Sequence, residues 1–191
     1  MQTAYYAGNR ARLYEQLAPG DLIAVFSGDE VWKTADELYP FFADRNFLYL
    51  TGLTCRDAVL LAAKDADGSV QERLYLLPPD LLAERWTGRR VKPAEASAVS
   101  GVADIRVTPD FAADFRALAA SGNYGRLFLD LYRFRPELPD RPAHRLLREV
   151  QRDHAWLQPG NAGDLLRRLR LYKQPCEIAA LRRAEEITAE G

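Results

Sequence analysis

The sequence predicts an α/β domain in which a mixed β-sheet is flanked by helices. Three observations carry that expectation. Short apolar segments at 22–26, 58–63 and 126–131 have the length and composition of buried strands. An Asp-Gly turn, Asp65-Ala66-Asp67-Gly68, separates 58–63 from the alternating segment 71–77, which favours an antiparallel hairpin. Segments of helical spacing alternate with the later strands and read as crossover helices. The clearest runs from Asp140 or Arg141 to His154, with Ala143, Leu146, Leu147 and Val150 on one face.

Taken in order, Asn9 is expected to cap a first helix ending near Leu17, and Pro19-Gly20-Asp21 stops it. The strand at 22–26 follows. Residues 27–38 are mostly polar and read as a loop with at most one helical turn. Pro40 keeps the chain extended, and Ala43-Asp44-Arg45-Asn46 reads as a polar turn. Phe47 to Leu50 is compact, apolar and aromatic, hence a buried strand closed by Thr51-Gly52 and paired antiparallel with 58–63. After the hairpin, Pro78-Pro79 ends the returning strand. Asp80 caps a short helix to Trp86, and Pro93 opens another to Val99. Residues 105–107 form a short strand. Pro109 starts a helix through Leu118, and Gly122 follows its end. Trp156-Leu157 reads as a last short strand. Asn161 or Asp164 caps a helix to Tyr172, and Pro175 opens the final one, with Ile178, Leu181, Ala184 and Ile187 as its apolar stripe.

With 191 residues, one domain is expected, able to bury about 70% of the surface of its unfolded chain. An apolar fraction of 48%, a charged fraction of 28% and a net charge of -1 leave no global attraction to nucleic acid or to a membrane. No apolar run approaches the ~20 residues of a membrane span. The N-terminus lacks the basic and apolar regions of a secretory signal, so a cytoplasmic location is expected. Cys55 and Cys176 are far apart, have no Cys-x-x-Cys partner, and read as unpaired thiols.

Several chemistries find no support. There is no Gly-x-Gly-x-x-Gly after a strand and no phosphate-binding Gly-x-x-x-x-Gly-Lys loop. His144 and His154 lie ten residues apart on one helix and point in different directions, so they do not share a metal. Arg141, Arg145, Arg148 and Arg152 fall on one helical face without interleaved aromatics. That face reads as solvated, or as meeting an acidic partner surface, in preference to nucleic acid. The acids show no pair placed for acid–base work.

Phe41 followed by Asn46-Phe47-x-Tyr49-Leu50-Thr51-Gly52 resembles the signature of the N-terminal domain of Xaa-Pro aminopeptidases, of the creatinase/prolidase group of pita-bread metallopeptidases. Asn9-Arg10, Ser27-Gly28, Glu84-x-Trp86-x-Gly88-Arg89 and Leu171-x-Lys173-x-Pro175-x-Glu177-Ile178 extend the resemblance over nearly the whole chain. It implies the same mixed sheet flanked by helices, with a ribonuclease H-like motif. It also implies a boundary. Residues 1–172 would be the creatinase/prolidase-type domain, and 173–191 a linker and the first helix of a C-terminal catalytic domain outside this chain. In the family that domain carries the metal ligands, two Asp, one His and two Glu, around two divalent ions, manganese being expected.

By that resemblance, the parent protein would be a hydrolase that removes an N-terminal residue preceding proline. This chain would be inactive alone, and would help shape the substrate opening and the homo-oligomer. Its partners would be its own catalytic domain, further copies and, in the parent, proline-containing peptides. A prolidase- or creatinase-type parent and a stand-alone interaction domain are the alternatives. Trp86 and Arg89 have two readings. Beside Gly88 and Arg90 they suit a core edge, while the resemblance implies a place near the substrate groove, where an indole face and a guanidinium suit a peptide's apolar body and carboxylate.

Overall fold

A computed structural model describes residues 1–191. Its six strands are β1 (Asp21–Phe26), β2 (Val59–Lys64), β3 (Val70–Leu76), β4 (Asp104–Val107), β5 (Arg126–Leu129) and β6 (Gln158–Asn161). They form one sheet in the order β4-β3-β2-β1-β5-β6. Only β2 runs against its neighbours, so the sheet is mixed. The expected hairpin is present: Asp65 and Ser69 close it, and Gly68 supplies the positive φ of 85° that the turn needs.

The helices are α1 (Thr3–Glu15), α2 (Arg45–Thr51), α3 (Leu81–Thr87), α4 (Pro93–Ser100), α5 (Phe111–Ala120), α6 (Pro142–Asp153), α7 (Ala162–Leu171) and α8 (Pro175–Glu190). Strand side chains alternate between two cores, as the pleat requires. Ile23, Val25, Leu60, Ala62, Leu74 and Leu76 meet α1, α2, α4 and α7 on one face. Leu22, Ala24, Val59, Leu61, Ala63 and Tyr75 meet α5 and α6 on the other. A sheet covered on both faces explains the near-continuous apolar runs of β1 and β2.

Residues 47–50 are a helix, which corrects the expected strand and its pairing with 58–63. The Asp44 side chain accepts hydrogen bonds from the Asn46 and Phe47 amides, an N-cap that the polar-turn reading overlooked. Gly52, in the left-handed conformation at φ 73°, closes the helix. Phe47, Tyr49 and Leu50 are nevertheless buried, as their composition demands. A short helix buried on nearly all sides carries no amphipathic period, so it resembles a strand in sequence. Three smaller readings are also corrected. Asn9 lies well inside α1, which begins at Thr3. Residues 27–38 contain no helical turn, only a bridge between Trp32 and Leu38. The last strand is β6, just after Trp156 and Leu157; Leu157 is buried in the α5/α6 core, whereas Trp156 is exposed.

Asn9 and Arg10 together join α1 to the elements around it. The Asn9 side-chain amide donates to the Tyr49 carbonyl at 2.8 Å. Arg10 is 2% exposed. It donates to both carboxylate oxygens of Glu72 on β3, at 2.8 and 3.1 Å. It also donates to the carbonyls of Leu50 and Ser100, at 2.8 and 2.7 Å. Those carbonyls belong to the last turns of α2 and α4, where helices leave acceptors without partners and favour a cation. Both helices end in left-handed glycines against α1. A Cβ at Gly52 would sit 2.5 Å from the Tyr6 ring, and one at Gly101 would sit 3.1 Å from Thr3.

No helix is long and apolar enough to cross a membrane. Both cysteines are free. Cys176 is exposed, whereas burial raises the Cys55 thiol to about 11.

Two outcomes follow from this packing. Arg10→Leu is expected to destabilise the protein by about 3–5 kcal/mol, because it strands Glu72 and two helix-end carbonyls. Arg10→Lys, which keeps the charge but not the planar fork, should recover only part of that loss in a denaturant melt. For the thiols, alkylation near pH 8 should label Cys176 readily and Cys55 only after unfolding, since roughly one Cys55 in a thousand would be thiolate. Peptide mass mapping reads the result.

Candidate functional site

Because β1, β3, β4, β5 and β6 run the same way, their carboxyl ends and the start of β2 share one end of the sheet. The strand order reverses there, between β1 and β5, which is where ligands settle in open α/β sheets. The loops at this end, 27–44, 77–92 and 130–141, carry more than half of the large apolar side chains left exposed, among them Trp32, Phe42, Leu81, Leu82, Trp86 and Phe134. Elsewhere such residues are scattered, except along α7 and α8. Exposed apolar side chains gathered at one end of a sheet suit an interaction surface.

Several concavities open on this end, and two of them bear on the site. One is a cleft of about 270 Å³ beside the end of β3, lined by the apolar Phe41, Leu76, Leu77 and Val91 and by the charged Glu30, Arg56, Arg89 and Arg90. The other is a wider, charged basin of about 860 Å³ at the ends of β5 and β6. In the basin Asn46 links three elements. Its amide nitrogen donates to Asp130 at 2.6 Å, and its amide oxygen accepts from Arg170 at 2.6 Å. The Asn161 side chain accepts from the Gly163 amide and so caps α7.

Trp86 lies in the last turn of α3 and is 85% exposed, so it packs no core edge. The helix forms because Asp80 accepts from the Leu82 and Ala83 amides. It ends at Gly88, whose φ of 86° turns the chain back toward the cleft. Arg89 donates to both oxygens of Glu95, at 2.7 and 3.0 Å, on the first turn of α4. That partner raises the Arg89 guanidinium and lowers the Glu95 carboxyl. Trp86 and Arg89 are thus close in sequence but unlike in setting: a free aromatic face and a guanidinium held by a surface acid. Arg89 lines the cleft and Trp86 does not.

The histidines are settled by packing. His154 is buried, edge-on to Phe115 and Trp156 at 5.9 and 5.3 Å between ring centroids. His144 is half-buried, and burial together with Arg133 and Arg141 lowers its imidazole. No three His, Cys, Asp or Glu side chains converge as metal ligands, so the residues present do not fit a two-metal set. On α6, Arg141 pairs with Asp44, Arg145 with Asp29 at 2.7 Å, Arg148 with Asp140 and Arg152 with Asp153 at 2.6 Å. The basic row is therefore matched by acids of its own chain. Sequence reasoning missed the partnership of Asn46 with Asp130 and Arg170, and the cleft role of Arg56 and Arg90. The signal for Asn46 was its place in the quoted motif, and for Arg90 its adjacency to Arg89.

A sequence model described as "Aminopeptidase P, N-terminal domain" matches residues 6–128. Among known proteins, an Xaa-Pro aminopeptidase of Escherichia coli is 31% identical over 94% of this chain and 41% of its own length. Xaa-Pro aminopeptidase 2 of Streptomyces coelicolor is also 31% identical, over 100% of this chain and 39% of its own. The chain thus spans about two-fifths of the length of the relatives it matches. Among solved structures, aminopeptidase P from Escherichia coli with the inhibitor Pro-Leu superposes with a TM-score of 0.83 at 28% identity, over 100% of this chain and 43% of that one. A zinc-substituted form of the same enzyme in complex with product matches equally well. Agreement of sequence and fold over this span settles the family: the chain belongs to the aminopeptidase P N-terminal domains.

Proposed function

We propose that this chain is the non-catalytic N-terminal part of an Xaa-Pro aminopeptidase-type metallopeptidase, and that it shapes the substrate opening and the oligomer. The observation that carries this is the continuity of the match, which runs through α8 in proteins more than twice as long. On this reading residues 1–172 are the domain proper, and 173–191 are the linker and first helix of the catalytic domain. The packing supports that division, because α7 contributes Ala162 and Leu166 to the core while α8 buries none of its residues. Ile178, Leu181 and Ile187 stand 40%, 53% and 56% exposed on α8, a stripe suited to burial against the catalytic domain or a neighbouring chain.

The catalytic domain would hold two divalent metal ions, with manganese the favoured identity, and those ions would supply the activated water for hydrolysis. No step of that hydrolysis is assigned to residues of this chain. Trp86, with its exposed indole, would offer an apolar face to the peptide, and Arg89 a cation at the same rim. The parent's substrates would be peptides with proline in second place. A cytoplasmic location belongs to the same reading and is supported by the two free thiols.

In the metal-loaded parent enzyme, Trp86→Ala is expected to lower kcat/KM on a proline-second peptide by about ten-fold, near 1.4 kcal/mol, with Arg89→Ala weaker. Thermal stability should stay within about 0.5 kcal/mol, because the indole packs no core. Unchanged turnover in Trp86→Ala would remove that residue from the groove. The boundary has its own test. Deleting residues 175–191 should leave the thermal midpoint of the remainder nearly unchanged, and unfolding of the shortened chain would place α8 in this domain's own structure.

A further inference from the structure

Arg90 is a cation whose closest anion stands at the outer limit of an ion pair. Its side chain is only 17% exposed. One terminal nitrogen donates to the neutral carbonyl of Pro78, the nearest carboxylate is Asp80 at 3.8 Å, and Nε is buried with no acceptor. Arg10, by contrast, has Glu72 at 2.8 Å, and Arg56 makes a close pair with Glu30. Removing a guanidinium from water is costly unless an anion compensates, and a buried donor without a partner adds to that cost. Arg90 lies in the wall of the 270 Å³ cleft, over a floor of Phe41, Leu76, Leu77 and Val91.

We propose that this cleft binds the free carboxylate end of a short peptide or amino acid, with Arg90 taking the carboxylate and the apolar floor taking the terminal side chain. The anion follows from Arg90, and the apolar body from the floor. The choice of a peptide as carrier rests on the function proposed above. The cleft is smaller than sites for drug-sized ligands, so it suits the end of a chain more than its length. Arg56 stands at the same wall but is already paired with Glu30, and Arg89 with Glu95. Arg90 is therefore the residue whose electrostatics change most when a carboxylate enters. Inorganic phosphate has no apolar body to cover the floor and is disfavoured.

The test uses the 191-residue protein and three probes: N-acetyl-leucine, its C-terminal amide and inorganic phosphate. Binding is read by heteronuclear NMR at the arginine Nε–H groups and at the amides of 54–56 and 88–91. N-acetyl-leucine is expected to shift the Arg90 Nε–H and both loops, and to bind at least about ten-fold more tightly than the amide, as a charge-assisted pair implies. Arg90→Gln should abolish that preference. If Arg90→Gln does not fold, the comparison of acid with amide on the unaltered protein decides alone. Equal binding of acid and amide, no shift at Arg90, or phosphate matching the acid would overturn the proposal. The readout involves no turnover, so a null effect of Trp86→Ala in the parent would withdraw the peptide reading and leave the cleft result standing.

Discussion

One buried guanidinium organises this domain. Arg10 enters the space between α1, α2, α4 and β3, where two helices end against the sheet. A buried cation is unfavourable unless its donors find acceptors. Here Glu72 neutralises the charge, Tyr14 donates to that same carboxylate at 2.8 Å, and two helix-end carbonyls take the rest. The arrangement constrains its neighbours. α2 and α4 must stop with their last carbonyls aimed at Arg10, which requires left-handed residues directly after them. α1 must then pass so near those turns that only glycine fits at Gly52. The motif residues Asn9, Arg10 and Gly52 thus act as one mechanical unit, although they lie far apart in the chain.

The same electrostatic logic sorts the remaining arginines. Asp21, 2% exposed at the start of β1, receives two hydrogen bonds from Arg126 at 2.7 and 2.8 Å and so registers β5 beside β1. The α6 row is paired with acids of its own chain, Asp140 serving both Arg148 and Arg133. Arg90, whose nearest carboxylate is Asp80 at 3.8 Å, stands in the wall of a cleft.

Sheet direction concentrates function at one end. Five strands share a direction, so every loop after them gathers at the same edge, together with the loop before β2. The opposite edge carries the β2–β3 hairpin turn and the approach to β1. An apolar rim, a small cleft with an undercompensated cation and a wide polar basin therefore lie side by side, although their residues come from distant parts of the chain.

Local chemistry in the sequence was enough to locate most elements. Apolar runs mark β1 and β2, the Asp-Gly turn marks the hairpin, Asp80 and Pro93 start their helices, and the apolar spacing of α6 is visible without any neighbour. These signals are local because caps, turns and amphipathic faces depend on residues within a few positions of one another. The motif spread over the chain also identified the family. Tertiary structure decided the rest. Residues 47–50 became a helix because Asp44 and Gly52 could cap it and because it is enclosed by α1, α4 and the sheet, and enclosure erases the periodicity that separates helix from strand. Asn9 and Arg10 looked like a helix start, yet they serve carbonyls 40 to 90 residues away. The exposure of Trp86, the pairing of Arg89 with Glu95 and the distant pairing of Arg90 with Asp80 were likewise invisible in sequence. Each depends on which side chains the fold brings within a few ångströms, and composition and spacing do not encode that distance.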